Sequence, residues 1–175
     1  MIKNVFITGK PGCGKTSLII ETVKELNFKT GGFYTREIRE KNERKGFEII
    51  TLSGEKAILA HRDIKKSKYR VGRYKVDIQN LERIGVDSIL DCLYDNDTEV
   101  IIIDEIGKME LFSFKFKKAV LAALKSKKKV LGTITLSPNS FCNLVKKRED
   151  TKILNLTKKN REEIKQKIIK LLEAR

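Results

Sequence analysis

The chain has 175 residues, 40% of them hydrophobic and 35% charged, with a formal net charge of +15. That length suits one compact domain, residues 1–175, around a single hydrophobic core. It holds no apolar run of the ~18 residues a membrane-spanning helix needs. The N-terminus enters a strand-like run at once and lacks the apolar stretch and cleavage site of a secretory leader. The expectation is a soluble, cytoplasmic monomer with no membrane role.

Val5-Phe6-Ile7 is a short apolar run followed directly by glycines, which reads as a buried central strand. After the glycines, Leu18, Ile19, Val23 and Leu26 fall at helical spacing, with Asn27 as a stop. From Gly31 to Ala60 the pattern turns β-rich. Gly32–Thr35, Gly46–Leu52 and Ala57–Leu59 are separated by turn-like Lys41–Arg44 and Ser53-Gly54. They predict an antiparallel meander on one edge of the main sheet. Arg62–Tyr74 is basic and reads as irregular, and Leu81, Ile84, Ile89, Leu90 and Leu93 predict a helix weakened at Gly85.

Val100-Ile101-Ile102-Ile103 is the most hydrophobic run and reads as a strand that ends in Asp104-Glu105. A helix over about Phe114–Ser126, a strand at Val130–Ile134, a short helix after Pro138 and a strand at Lys152–Leu156 follow. Thr157 is the expected cap of a terminal helix whose buried stripe is Ile164, Ile168, Leu171 and Leu172. Strands alternating with helices indicate an α/β fold with a doubly wound, mostly parallel sheet.

Gly9-Lys10-Pro11-Gly12-Cys13-Gly14-Lys15-Thr16 matches G-x-x-x-x-G-K-[ST] at every fixed position, between a strand and a helix. Glycines let consecutive N–H groups point at one anion without Cβ clashes, and the helix end adds its positive dipole. In this motif Lys15 reaches the β and γ phosphates of a nucleoside triphosphate and the Thr16 hydroxyl coordinates Mg2+. Asp104, at the end of its hydrophobic strand, fits a second magnesium-holding role (Walker B). Glu105 directly after it is placed to orient or deprotonate a water attacking the γ phosphate, which favours hydrolysis over phosphate transfer.

Other side chains carry weaker signals. Thr133 can sense the γ phosphate or serve simply as a strand former. Arg36, Arg39 and Arg73 can each supply positive charge to a transition state, or decorate the surface. Phe33 and Tyr34 read as core rather than base-stacking residues. No guanine-reading N-K-x-D motif occurs in the second half, so low base selectivity is expected.

Cys13, Cys92 and Cys142 form no CxxC pair and read as reduced thiols, and the single His61 rules out an HxxxH metal centre. The lysines attract polyanions, but no aromatic residues interleave with them in the sequence. Nucleic-acid contact is therefore expected to be unspecific at most, and a solvated basic surface is the main reading. A small kinase, or a nucleotide-switched nucleic-acid binder, is the alternative to a hydrolase.

The combination resembles the small thermophile nucleoside-triphosphatase family, whose animal relatives are called cancer-related nucleoside triphosphatases. Four stretches carry the resemblance: Ile7–Thr16, Gly32–Arg39, Val71–Asp77 and Ile102–Leu111, the last with Glu110 after Ile106-Gly107. The resemblance implies a RecA-like P-loop fold with the meander inserted after the first helix. It also implies slow, magnesium-dependent hydrolysis of ATP, GTP, CTP and UTP to the diphosphate and phosphate. Carried over by position, nucleotide contacts fall on Gly9, Lys10, Pro11, Gly12, Cys13, Gly14, Lys15 and Thr16. A second set falls on Val100, Ile101, Ile102, Ile103, Asp104, Glu105, Ile106 and Gly107. Lys75 stands where the family has a glycine.

Overall fold

Strand β1 (Asn4–Thr8), every residue of it buried, runs through the glycine loop into helix α1 (Lys15–Glu25). Three long strands follow, β2 (Thr30–Glu40), β3 (Glu43–Thr51) and β4 (Lys56–His61), then a small hairpin of β5 (Arg70–Val71) and β6 (Tyr74–Val76). A continuous helical stretch comes next: one turn of α2 (Ile78–Asn80), a π-helical turn at Leu81–Val86, and α3 (Asp87–Tyr94). The second half is β7 (Val100–Ile106), a 3-10 turn at Glu110–Phe112, α4 (Phe114–Lys125), β8 (Lys129–Ile134), α5 (Ser140–Lys146), β9 (Thr151–Asn155) and α6 (Arg161–Glu173). This is a computed structural model, and it describes residues 1–174.

The strands form one sheet in the order β5-β6-β4-β3-β2-β7-β8-β1-β9. From β2 to β9 the neighbours are parallel, while β2, β3, β4, β6 and β5 pair antiparallel as the expected meander. Alternate strand residues feed two cores, as a doubly wound sheet requires. On one face Phe6, Ile101, Ile103 and Val130 pack with α3, α4 and α5, where Phe33 meets Phe116 edge-on with ring centroids 6.1 Å apart. On the other face Val5, Ile7, Ile102 and Leu131 pack with Leu18 and Ile19 of α1 and Ile164, Ile168 and Leu172 of α6.

β2 belongs to both halves of the sheet. Thr30–Phe33 pair with β7, and the strand then runs on to Glu40 against β3 alone. It turns at Lys41 and Asn42, whose φ angles of 46° and 64° are those of a tight hairpin turn. At Gly32 φ is 101°, and a Cβ there would collide with the Ile102 backbone of β7. Gly32→Ala is expected to lower the unfolding free energy by about 3 kcal/mol, read from urea denaturation, because it adds both backbone strain and overpacking.

Four sequence expectations are corrected. Arg62–Tyr74 is not wholly irregular: Gly72, at φ 55°, turns the β5–β6 hairpin, and Lys75 is an ordinary strand residue paired with His61 and Arg70. Gly85 lies within the π turn, where its missing Cβ leaves room for Ile49 of β3, so it permits close packing rather than merely weakening a helix. β7 continues past Ile103 through Ile106. Asn160, not Thr157, occupies the cap position of α6, and its side chain turns back to accept from the Thr157 N–H at 2.8 Å.

Candidate active site

β1, β8 and β7 all deliver their C-terminal ends to the same edge of the sheet, the edge where ligands bind in open α/β folds. The glycine loop leaves β1 there. Gly9 has φ 155°, and a Cβ on it would come 2.6 Å from Leu156 O and 2.9 Å from Cys13 Sγ. Gly12 and Gly14 also have positive φ, at 75° and 93°. Gly14 sits at the N-cap of α1 with no side chain closing the helix end, so the first-turn N–H groups face outward. Lys15 Nζ donates to Gly9 O at 3.1 Å and Lys10 O at 3.3 Å, which lays the ammonium across the loop. Lys10, Pro11 and Gly12 are exposed; Cys13 is partly buried and packs towards the α1–α6 core.

The carboxylates come from β7, and the register explains how. Ile103 pairs with Gly132 but Ile106 pairs with Ile134, so Asp104 and Glu105 together oppose Thr133. That extra residue is a bulge, which breaks strict alternation and re-aims the side chains beside it. Asp104 is 1% exposed. Its Oδ1 accepts a hydrogen bond from the Thr133 hydroxyl, and its Oδ2 has no hydrogen-bond partner. Burial raises its pKa, while Thr133, the Thr16 hydroxyl, the Lys15 charge and the Thr35 N–H pull it back down. Glu105 folds back over Gly107, where any side chain would strike its carboxylate. Its pKa is raised by burial and by Asp104, with Lys15 opposing.

Lys15, Thr16, Asp104, Glu105 and Gly107 are thus brought together with Thr133. Val100, Ile101, Ile102 and Ile103 are not: they are fully buried between two strands and two cores, and they serve to carry Asp104 to the edge. Ile106 is likewise core. Arg36 pairs with Glu48 at 2.6 Å, Arg39 with Glu37 at 3.0 Å, and Arg73 with Tyr74 and Glu43, all out on the meander. Phe33 is core.

Two contributors escape a sequence reading. Arg161, the first residue of α6, donates to Gly14 O at 3.1 Å and pairs with Glu21 at 2.7 Å, bracing the loop against α1. Glu110 is 3% exposed and faces Glu105 and Asp104, with its pKa pushed well up by burial and by those two charges. The sequence marks Glu110 as part of the Ile102–Leu111 stretch, but not its burial against the two carboxylates. The expected lack of interleaved aromatics is corrected: Tyr69 sits between Lys68 and Arg70, Phe114 and Phe116 sit among Lys115, Lys117 and Lys118, and in space Lys68 lies over Tyr69 and Lys118 over Phe114.

The buried, partnerless Asp104 oxygen beside a threonine hydroxyl suits a hard divalent cation. Among the described residues no group of three His, Cys, Asp or Glu side chains could hold a metal alone.

A glycine loop between a central strand and a helix, faced by a buried aspartate, defines a P-loop nucleotide-binding protein. Comparison with known proteins narrows the class. The model of a family described as NTPase matches residues 4–169. The nucleoside-triphosphatase THEP1 of Thermotoga maritima is 46% identical, over 97% of this chain and 95% of its own length. The human cancer-related nucleoside-triphosphatase is 36% identical over 99% and 98%. The crystal structure of THEP1 from Aquifex aeolicus superposes with a TM-score of 0.86 at 35% identity, covering 98% of this chain and 99% of that one. The chain belongs to this NTPase family.

Proposed function

We propose that the protein hydrolyses nucleoside triphosphates to the diphosphate and phosphate, with Mg2+ and with little selection among ATP, GTP, CTP and UTP. The observation that carries this reading is the joint placement of Lys15, Thr16 and the bulged Asp104-Glu105 pair at one edge of the sheet. The loop N–H groups from Gly9 to Thr16 hold the phosphates, and Lys15 leaves its loop carbonyls for the β and γ oxygens. Thr16 and Asp104 hold the ion, which when bound neutralises charge on the phosphate oxygens. Glu105 orients the attacking water and takes its proton as the new P–O bond forms, and the β-phosphate oxygen departs with the electrons of the broken bond. The raised pKa of Glu105 makes it a stronger base than a free glutamate.

The decisive assay is phosphate release from all four triphosphates, with magnesium and with chelator, for wild type and Lys15→Ala. Release from all four that stops with chelator, and falls at least about a hundredfold in Lys15→Ala, is the expected result. Transfer of phosphate to an added nucleoside monophosphate in preference to water would make the protein a kinase instead.

The protein is further proposed to be cytoplasmic and to act as a monomer of one domain. No helix among the described residues is long and apolar enough to cross a membrane.

A further inference from the structure

Most large apolar side chains of this chain are inside, but two phenylalanines next to the Glu105 segment are not. Phe114, the first residue of α4, is 67% exposed, and Phe112 is 38% exposed. Phe112 lies against Tyr69 with ring centroids 5.1 Å apart, although Tyr69 comes from the distant loop before β5. Each end of this aromatic row carries a cation. Lys68 Nζ is 5.1 Å from the Tyr69 centroid and Lys118 Nζ is 5.1 Å from the Phe114 centroid.

Lys118 also lines a groove of about 590 Å3 between the π turn, α3 and α4, together with Val86, Leu90, Ala119, Gln79 and Lys115. The charges around it do not cancel. Lys66, Lys68, Lys118 and Arg83 make no ion pair among the described residues. Of the nearby carboxylates, Glu82 is already engaged by Lys115 at 3.0 Å and by the Ser113 hydroxyl at 2.9 Å, and Asp77 caps α2. Asp87, on the groove wall, is the acidic group left over.

Two exposed phenylalanine rings beside a half-buried tyrosine, with an unpaired lysine at each end, match a strand of unpaired bases joined by phosphates. The rings offer π-faces to bases of any sequence, and the lysines follow the backbone. A duplex hides its base faces within its own stack and would meet the lysines only. An acidic peptide would likewise use the lysines and leave the rings idle. We propose that the Tyr69–Phe112–Phe114 row, with Lys68 and Lys118, is a binding surface for single-stranded nucleic acid. The site is separate from the phosphate loop and does not depend on hydrolysis.

The test is fluorescence anisotropy of a labelled oligothymidylate and a labelled duplex with the full-length protein, over a salt series. Comparison proteins are Phe112→Ala, Phe114→Ala and the double variant Lys68→Glu/Lys118→Glu. Both rings are at the surface, and the Ser113 hydroxyl, which caps α4 on Phe116 N, is retained, so all variants should keep wild-type phosphate release and unfolding midpoint. The expected result is tighter binding to the single strand than to the duplex, weakened about tenfold by each ring removal. The lysine variant should also flatten the dependence of log K on log salt, by about one unit for each phosphate it no longer neutralises. Equal affinity for duplex and single strand, or unchanged affinity in Phe114→Ala, would overturn the proposal and leave only counterion attraction by a chain of charge +15.

Discussion

Glu105→Gln is expected to lower kcat by about 10²–10⁴-fold while leaving triphosphate affinity within about threefold of wild type. Glutamine preserves the volume and the bend over Gly107, so the geometry that packs residue 105 survives. What is lost is the capacity to take a proton from water, and with it the electrostatic pull that orients that water. The contrast with Lys15→Ala is the informative part. Lys15 touches the loop that holds the phosphates, so its loss should weaken binding as well as turnover. Single-turnover phosphate release, with binding followed separately by a fluorescent triphosphate, distinguishes the two. A Glu105→Gln protein that keeps kcat within about tenfold would place proton removal on another group and remove Glu105 from the mechanism.

The parts of this site that the sequence displays are those built from contiguous residues. Gly9–Thr16 is a local motif, and its function needs only that a strand precede it and a helix follow, which periodicity reveals. The Asp104-Glu105 pair after four consecutive aliphatic residues is legible for the same reason. What stays hidden is set by pairing across the sheet. That Asp104 and Glu105 occupy a bulge follows from the register between β7 and β8, which neither segment displays by itself. That Thr133 spends its hydroxyl on Asp104 follows from β8 lying next to β7.

Arg161 reaches Gly14 only because β9 pairs with β1 and returns the chain beside the loop. Short elements hide differently. The two-residue strand Arg70–Val71 is too brief for alternation to register, so its segment reads as a basic loop. The cap of α6 is ambiguous in sequence because both Thr157 and Asn160 are good cap residues, and their mutual hydrogen bonds, not propensity, decide which precedes the helix. The terminal helix's stripe is fully visible: Ile164, Ile168 and Leu172 are buried and Leu171 packs at the margin.

Glu110→Gln should make the protein more stable at neutral and alkaline pH, with the difference growing as pH rises. Glu110 is buried against Glu105 and Asp104 of β7, with the Cys142 thiol of α5 close by and only two backbone donors, its own N–H and that of Gly107, to favour its charge. No lysine or arginine pairs with it among the described residues. Its folded pKa therefore lies above the unfolded one, and the folded protein binds that proton more tightly. The sign follows from linkage: the stabilisation is complete below the unfolded pKa of about 4.3 and is lost as pH climbs through the window up to the folded pKa. Within that window the loss is at most about 1.4 kcal/mol per pH unit. Glutamine keeps the shape and cannot ionise, so its stability curve lacks this decline. Urea unfolding in chelator at about pH 5 and about pH 8 should show near-equal proteins at the lower value and a clear advantage for the variant at the higher. Curves that stay parallel across that range would mean that the Glu110 charge is compensated in the folded state. In chelator, then, three carboxyls are held together, with the Lys15 charge opposing only at Asp104 and Glu105. A bound divalent ion at Asp104 should shrink the difference between the two proteins, because it supplies further positive charge.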